Sequence, residues 1–216
     1  MKFKQKHFID FHKGITPLFI VILLTCFDQW DNLVALLYLA LHGTYGILWI
    51  TKSYIYPDKQ WESTTSIAYG LFIWAGLSLY WVSPIILITN CKFEYFTYLQ
   101  EPSNIYIMCC VILYIFGVFL HFTSDMQKYV YLKLNPGNLI KTEMFSKVRN
   151  TNYLGEFCIY LGFSMLACNY LPLIALLLLI IAIWLPNMHK KDKSLSRYSE
   201  FEDYKKNTSK IFPFIY

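Results

Sequence analysis

The chain runs to 216 residues with a formal net charge of +5; 56% of its residues are hydrophobic and only 15% are charged. A soluble domain carries about 25% charged residues. A water-soluble globular class is therefore excluded, and the expectation is an all-α, polytopic integral membrane protein, a single membrane domain over residues 1–216 that meets membrane lipids and no nucleic acid.

Six apolar segments follow one another, at about 15–27, 33–50, 65–89, 104–122, 154–170 and 172–186. A spanning helix needs roughly 20 residues, so the first and last are expected to extend into their flanks or to stop short of the far face. Lys2, Lys4, Lys6 and Lys13 precede the first segment and no small-residue cleavage site follows it, which predicts a retained helix. Ser83-Pro84 falls inside the third segment. Proline removes a backbone donor and clashes one turn back, so it should kink or end the helix and leave residues 85–89 as a separate turn. Asn135-Pro136-Gly137-Asn138 is a turn signal in the long loop 123–153. The last two segments meet at Cys168-Asn169-Tyr170-Leu171-Pro172 with almost no loop. A tight antiparallel pair is expected, with the residues before 154 and after 187 brought together. The cysteines follow no metal or disulfide spacing. Cys26, Cys109, Cys110, Cys158 and Cys168 lie in apolar runs, which predicts reduced, buried thiols and no metal site.

Loop charge gives an orientation. With the N-terminus in the cytoplasm and six spans, the pieces 1–14, 51–64, 123–153 and 187–216 are cytoplasmic and hold four, two, five and seven Lys plus Arg, against Lys92 alone on the far side. The positive-inside rule predicts this asymmetry for that order of spans, with both termini cytoplasmic.

Four groups of residues carry candidate chemistry. His42, Tyr45 and Trp49 form a stripe at i, i+3, i+7, either packed in a core or facing a ligand. Asp125 and Lys128 share a helical face at i, i+3, as a surface ion pair or, with His121 four residues earlier, as the lining of a cavity. Arg149-Asn150-Thr151-Asn152-Tyr153-Leu154-Gly155-Glu156 is a polar cassette at the mouth of an apolar helix. A charge entering the bilayer needs a partner; Glu156 would find it in Arg149 or in a ligand amide or hydroxyl. Asn152 would cap the helix or read a carboxamide or adenine edge, and Tyr153 offers a ring and a hydroxyl. The tail, with His189, Lys190, Lys191, Asp192, Lys193, Arg197 and Tyr198, reads as an anionic-lipid contact or as the second half of a ligand site.

The cassette resembles the Arg-His-Pro-Asn-Tyr-Phe/Leu-Gly-Glu signature of the steroid 5-alpha-reductase-like membrane reductases. The ending Phe201-Glu202-Asp203-Tyr204-Lys205-Lys206-Asn207 is similar to that family's Phe-Glu-Asp-Tyr-Pro-Lys-Ser run. The pattern His189, Asp192, Arg197-Tyr198, Tyr204, Pro213 is similar to that of its sterol C14-reductase branch. The resemblance covers residues 119–216. It departs at Asn150-Thr151, where the family has His-Pro, at Lys205-Lys206-Asn207, and at His121, where a family asparagine often stands.

What the resemblance implies is an NADPH-dependent reductase of a C=C bond in a sterol, steroid or related lipophilic substrate. Residues 119–216 would bind the cofactor and residues 1–118 would shape the lipid cavity. By motif position, Asp125, Asn152, Tyr153 and Glu156 would belong to the cofactor pocket, and Asp192, Lys193, Arg197 and Tyr204 to the tail closing over it. Lys128, Arg149, His189 and Tyr198 complete the expected cofactor set, the cations facing phosphate. Hydride addition leaves an enolate oxygen that needs a proton donor; His42, Tyr45 and Tyr56 are the candidates. Two other classes compete. One is an S-adenosylmethionine-dependent methyltransferase of the isoprenylcysteine carboxyl methyltransferase type, whose tail usually carries a Glu-Glu pair that Asp192-Lys193 does not reproduce. The other is a non-enzymatic lipid-binding or scaffold protein. The membrane would be the endoplasmic reticulum in a eukaryote and the inner membrane in a bacterium.

Overall fold

The computed structural model describes residues 2–89 and 93–213. Lys92, the lone basic residue expected on the far side, and the last three residues of the tail lie outside that range. The described residues are helical, with isolated bridges in place of strands. Five helical stretches are long and apolar enough to cross a membrane: Gln5–Cys26, Leu33–Ile55, Ile67–Ile88, Asn104–Leu134 and Tyr170–Leu195. The protein is an all-α chain of the membrane type.

Helix α1 (Gln5–Cys26) begins ten residues ahead of the apolar run that announced it. Lys6 and Lys13, expected in the cytoplasmic segment 1–14, are helical. The reason is local: Lys4 and Lys6 both pair with Glu62, and the amides of Gln5 and Lys6 bond the carbonyls of Ser63 and Trp61. These contacts hold the first turn in place. Hydrogen bonds from the two lysines keep the Glu62 carboxyl below its ordinary range.

Helix α2 (Leu33–Ile55) starts at Asn32, whose side chain accepts from the Ala35 amide. It packs on α1 through a seam of small residues. Pro17 has no N–H to give the Lys13 carbonyl, and a Cβ at Gly46 would sit 2.4 Å from that oxygen. Only glycine lets the two backbones approach so closely.

Helix α3 (Ile67–Ser78), capped by Ser66, passes through a 3₁₀ turn, Leu79–Trp81, into α4 (Val82–Ile88). Pro84 does perturb this segment, but one turn upstream. It cannot donate to residue 80, the ladder tightens over 79–81, and the helix resumes as part of the same stretch.

Helix α5 (Asn104–Leu134) ends at Asn135, and the expected turn follows, with Gly137 at φ +87° and the Asn138 amide on the Asn135 carbonyl. Helix α6 (Thr151–Leu166) has 16 residues, about 24 Å at 1.5 Å per residue. It is shorter than the other five stretches. Residues 167–169 join it to α7 (Tyr170–Leu179), with Cys168 in the left-handed region and the Asn169 side chain accepting from the Leu171 amide. A π-helical turn, Ile180–Trp184, leads into α8 (Leu185–Leu195), and α9 (Phe201–Lys206) follows. Cys110, Cys158 and Cys168 are buried thiols as expected; Cys26 and Cys109 instead face outward.

The chain forms two compact units. The first comprises Met1–Tyr114 and Tyr160–Leu177, the second Ile115–Ile159 and Leu178–Tyr216. The first has an aromatic interior built on Tyr38, Tyr45, Tyr160 and Phe163. In the second, α5 and α6 touch backbone to backbone: a Cβ at Gly155 would lie 2.4 Å from the His121 nitrogen and 2.8 Å from the Gly117 oxygen. A smaller apolar cluster of Leu139, Phe201 and Tyr204, flanked by Leu195 and Tyr198, seats the tail.

Candidate functional site

In the second unit, the cassette and the tail are fastened by a short strap. The Arg149 amide donates to the Ser209 carbonyl at 2.9 Å, and the Ser209 amide to the Lys147 carbonyl at 2.9 Å, a parallel bridge between 148 and 209. The Asn150 side chain donates to the Lys210 carbonyl, and Lys191 Nζ donates to both the Arg149 carbonyl and Asn150 Oδ1. The Tyr204 hydroxyl donates to the Phe145 carbonyl at 2.7 Å, and burial raises its pKa, so it stays protonated to do so.

Arg149 is the hub of the strap. It is 6% exposed, and its Nη1 donates to the Lys205 carbonyl and to both oxygens of Thr208, while Nη2 reaches Asp192 Oδ2 at 3.4 Å. Its acidic partner is Asp192, not Glu156. The sequence could not indicate this, because most of the acceptors are backbone carbonyls.

A cleft of about 760 Å³ opens against the strap, within the roughly 300–1,000 Å³ usual for ligand sites. Lys147, Arg149, Lys193, Lys205, Lys206 and Lys210 line it with His189; Asp192 and Glu202 are its acidic groups. Arg149 Nε and Asp192 Oδ1 are buried with no hydrogen-bond partner among the described residues. Buried polar atoms are normally satisfied, so these two are consistent with a polar ligand. The donor set suits an anion: compact ammonium groups around a polar wall fit phosphate oxygens. The residues present fit a phosphorylated dinucleotide in chemistry and in room.

Of the expected cofactor residues, Arg149, His189, Asp192 and Lys193 meet in this cleft; the others stand elsewhere in the second unit. Asn152 is in the first turn of α6, two residues past the capping position, because the helix starts at Thr151. Its Oδ1 is buried without a hydrogen-bond partner, and its carbonyl lies 3.2 Å from His121 Nδ1. Glu156, one turn further, is half-buried, with no hydrogen bond or ion pair among the described residues. Tyr153 packs its ring on Trp184 in the π-helical turn. Asp125 is buried, 3.8 Å from His121 Nε2, and Lys128 is half-buried on the next turn. Arg197 is exposed and bonds its neighbours Ser194 and Tyr198, while Tyr198 packs against the small apolar cluster with Tyr204. Sequence reading missed Lys147, Lys205, Lys206 and Lys210. Lys205-Lys206 stood out only as a departure from a family motif.

The expected proton donors lie in the first unit. His42 stacks on Phe163 at 4.4 Å and shares a hydrogen bond with the Tyr38 hydroxyl. Tyr45 is fully buried, its hydroxyl 3.3 Å from that of Tyr160. Tyr56 is buried at the C-terminus of α2. A fourth group went unread. Lys13 is 3% exposed and donates to the Tyr160 hydroxyl, and its Nζ lies 4.3 Å from the Tyr45 ring centroid and 4.9 Å from that of Trp49. The signal was present: Ile9, Lys13, Thr16, Ile20 and Leu24 are spaced 4, 3, 4 and 4, which puts Lys13 on the buried stripe of α1.

No curated protein and no solved structure matches the chain. A family model described as a protein of unknown function (DUF1295) matches residues 1–208, and the chain belongs to that family.

Proposed function

We propose that this protein is an integral membrane reductase that uses NADPH to reduce a C=C bond of a sterol, steroid or related lipid, with six spans, a tight hairpin formed by the last two, and both termini and the basic tail in the cytoplasm. One observation carries the reading: cassette and tail residues, distant in sequence, line a single basic cleft in which Arg149 Nε and Asp192 Oδ1 are left without partners. The likeness of both segments to the steroid 5-alpha-reductase-like reductases adds to it.

NADPH, when bound, supplies the hydride. The chain's own residues do the rest. Cleft cations hold the phosphates. Asn152 and Glu156, one helical turn apart on α6, offer an amide and a carboxylate to the carboxamide end. A hydroxyl or imidazole among Tyr45, Tyr56 and His42 gives a proton to the substrate oxygen as charge develops there.

The test is ligand-induced stabilisation of the detergent-purified chain, since a ligand that binds only the folded state raises its melting temperature. NADPH is expected to raise it and S-adenosylmethionine to leave it unchanged. Glu156→Gln and Asn152→Ala should each abolish the NADPH response while the unliganded chain melts normally. A response to S-adenosylmethionine alone would instead make the protein a methyltransferase.

A further inference from the structure

Arg149 is the obvious phosphate ligand of the cleft by residue type, yet its geometry assigns it elsewhere. Nη1 is occupied by the Lys205 carbonyl and the two Thr208 oxygens, and Nη2 faces Asp192. A phosphate taking those donors would release the strap that walls the cleft. Lys147, Lys205, Lys206 and Lys210 carry compact ammonium groups instead, with Lys206 in an exposed i, i+3 pair with Asp203 at 4.0 Å. They line the same cleft from the strap and from the segment to which it is bridged, and Lys147, Lys205 and Lys206 are exposed. Their backbones are fixed: Lys205 and Lys206 end α9, the Lys205 and Lys210 carbonyls accept from Arg149 and Asn150, and the Lys147 carbonyl accepts from Ser209. An ammonium on a fixed backbone and a flexible stem can follow the several oxygens of a phosphate ester.

We propose that the C-terminal strap is itself the phosphate-recognition element. In this arrangement Lys147, Lys205, Lys206 and Lys210 contact the phosphate groups of a soluble phosphate ester, and Arg149 is a positioning residue whose Nη1 and Nη2 hold the strap and take no phosphate. The identity of that ester as NADPH rests on the function proposed above; the phosphate site does not.

The experiment titrates the full chain in detergent with inorganic pyrophosphate and with NADPH, and the chain in nanodiscs with and without phosphatidic acid. The variants are a triple Lys205→Gln/Lys206→Gln/Lys210→Gln and a single Arg149→Lys. The triple variant is expected to weaken pyrophosphate binding at least tenfold with little change in unliganded melting, because the strap is held through backbone groups and the Arg149 and Asn150 side chains, which the variant keeps. Arg149→Lys should melt earlier and expose the tail to protease, yet keep the salt sensitivity of pyrophosphate binding, because the lysine charges that salt screens remain. Wild-type pyrophosphate affinity in the triple variant would overturn the proposal. So would loss of that salt sensitivity in Arg149→Lys, or a response to phosphatidic acid alone, which would make the lysines a membrane-surface contact. Pyrophosphate binding that needs the lysines, without any NADPH response, would support the phosphate site and remove the cofactor reading.

Discussion

Lys13 has its amine among aromatic rings and bonded to a phenol, on the buried stripe of a membrane helix. Removing a whole buried charge and removing only its partner have opposite consequences. A buried charge replaced by an apolar group of similar size is often tolerated, whereas a buried charge that loses its hydrogen bond is penalised. Tyr160→Phe should therefore destabilise the first unit by about 1–3 kcal/mol, and Lys13→Met should cost less. In the double variant most of the loss should be recovered. Thermal melts of the three variants in one detergent decide it. If the double variant melts no higher than Tyr160→Phe, the phenol is not what keeps that ammonium buried. The same residue marks a limit of sequence reading. Four lysines ahead of an apolar run read as a cytoplasmic segment, and the stripe that includes Lys13 becomes apparent only when the helix is started at Gln5.

At the scale of elements, helix positions were legible and helix contacts were not. Apolar runs gave the spanning stretches, and Asn135-Pro136-Gly137-Asn138 gave a turn of the expected kind, because these depend on local chemistry. Gly155 was visible only as part of a motif. Its physical reason is the backbone approach of α5 and α6. Gly155→Ala places a methyl against backbone atoms of His121 and Gly117, which cannot swing aside. Overpacking of this kind costs typically 1–3 kcal/mol. Gly14→Ala on α1 meets only the tip of the Ile50 side chain, 2.8 Å away, and should be nearly neutral. Melting temperatures that fall equally in the two would refute the distinction. The strap shows the other side of this limit. That cassette and tail would meet was readable from the short connection at 167–169, but the exchange of roles between Arg149 and the lysines depends on backbone carbonyls, which sequence does not display.

For the whole molecule, the proposed topology puts Lys- and Arg-bearing segments together on one side of the bilayer. It predicts that epitope tags at the two ends are cut by protease from the same side of sealed vesicles, while a tag inserted at residue 92 is protected. A tag at residue 92 cut together with the terminal ones would reverse the proposed arrangement. The hydrophobic pattern carried the all-α membrane class almost unaided, since lipid demands long apolar helices whatever the chemistry. The substrate is less legible, because the aromatic interior of the first unit would look much the same around a ligand or around itself.

Neither unit is contiguous in the chain. The first is incomplete until Leu177 has been made, and the second until the strap near residue 210 follows. Domains generally fold as units in the order they are synthesised, but here a nascent chain that has reached Ile159 has finished neither. Tyr160, the partner of Lys13, arrives more than a hundred residues after it. Biogenesis must hold the early helices in an unfinished state until residues 160–177 have been made, and loss of the segment near residue 210 would remove closure of the second unit.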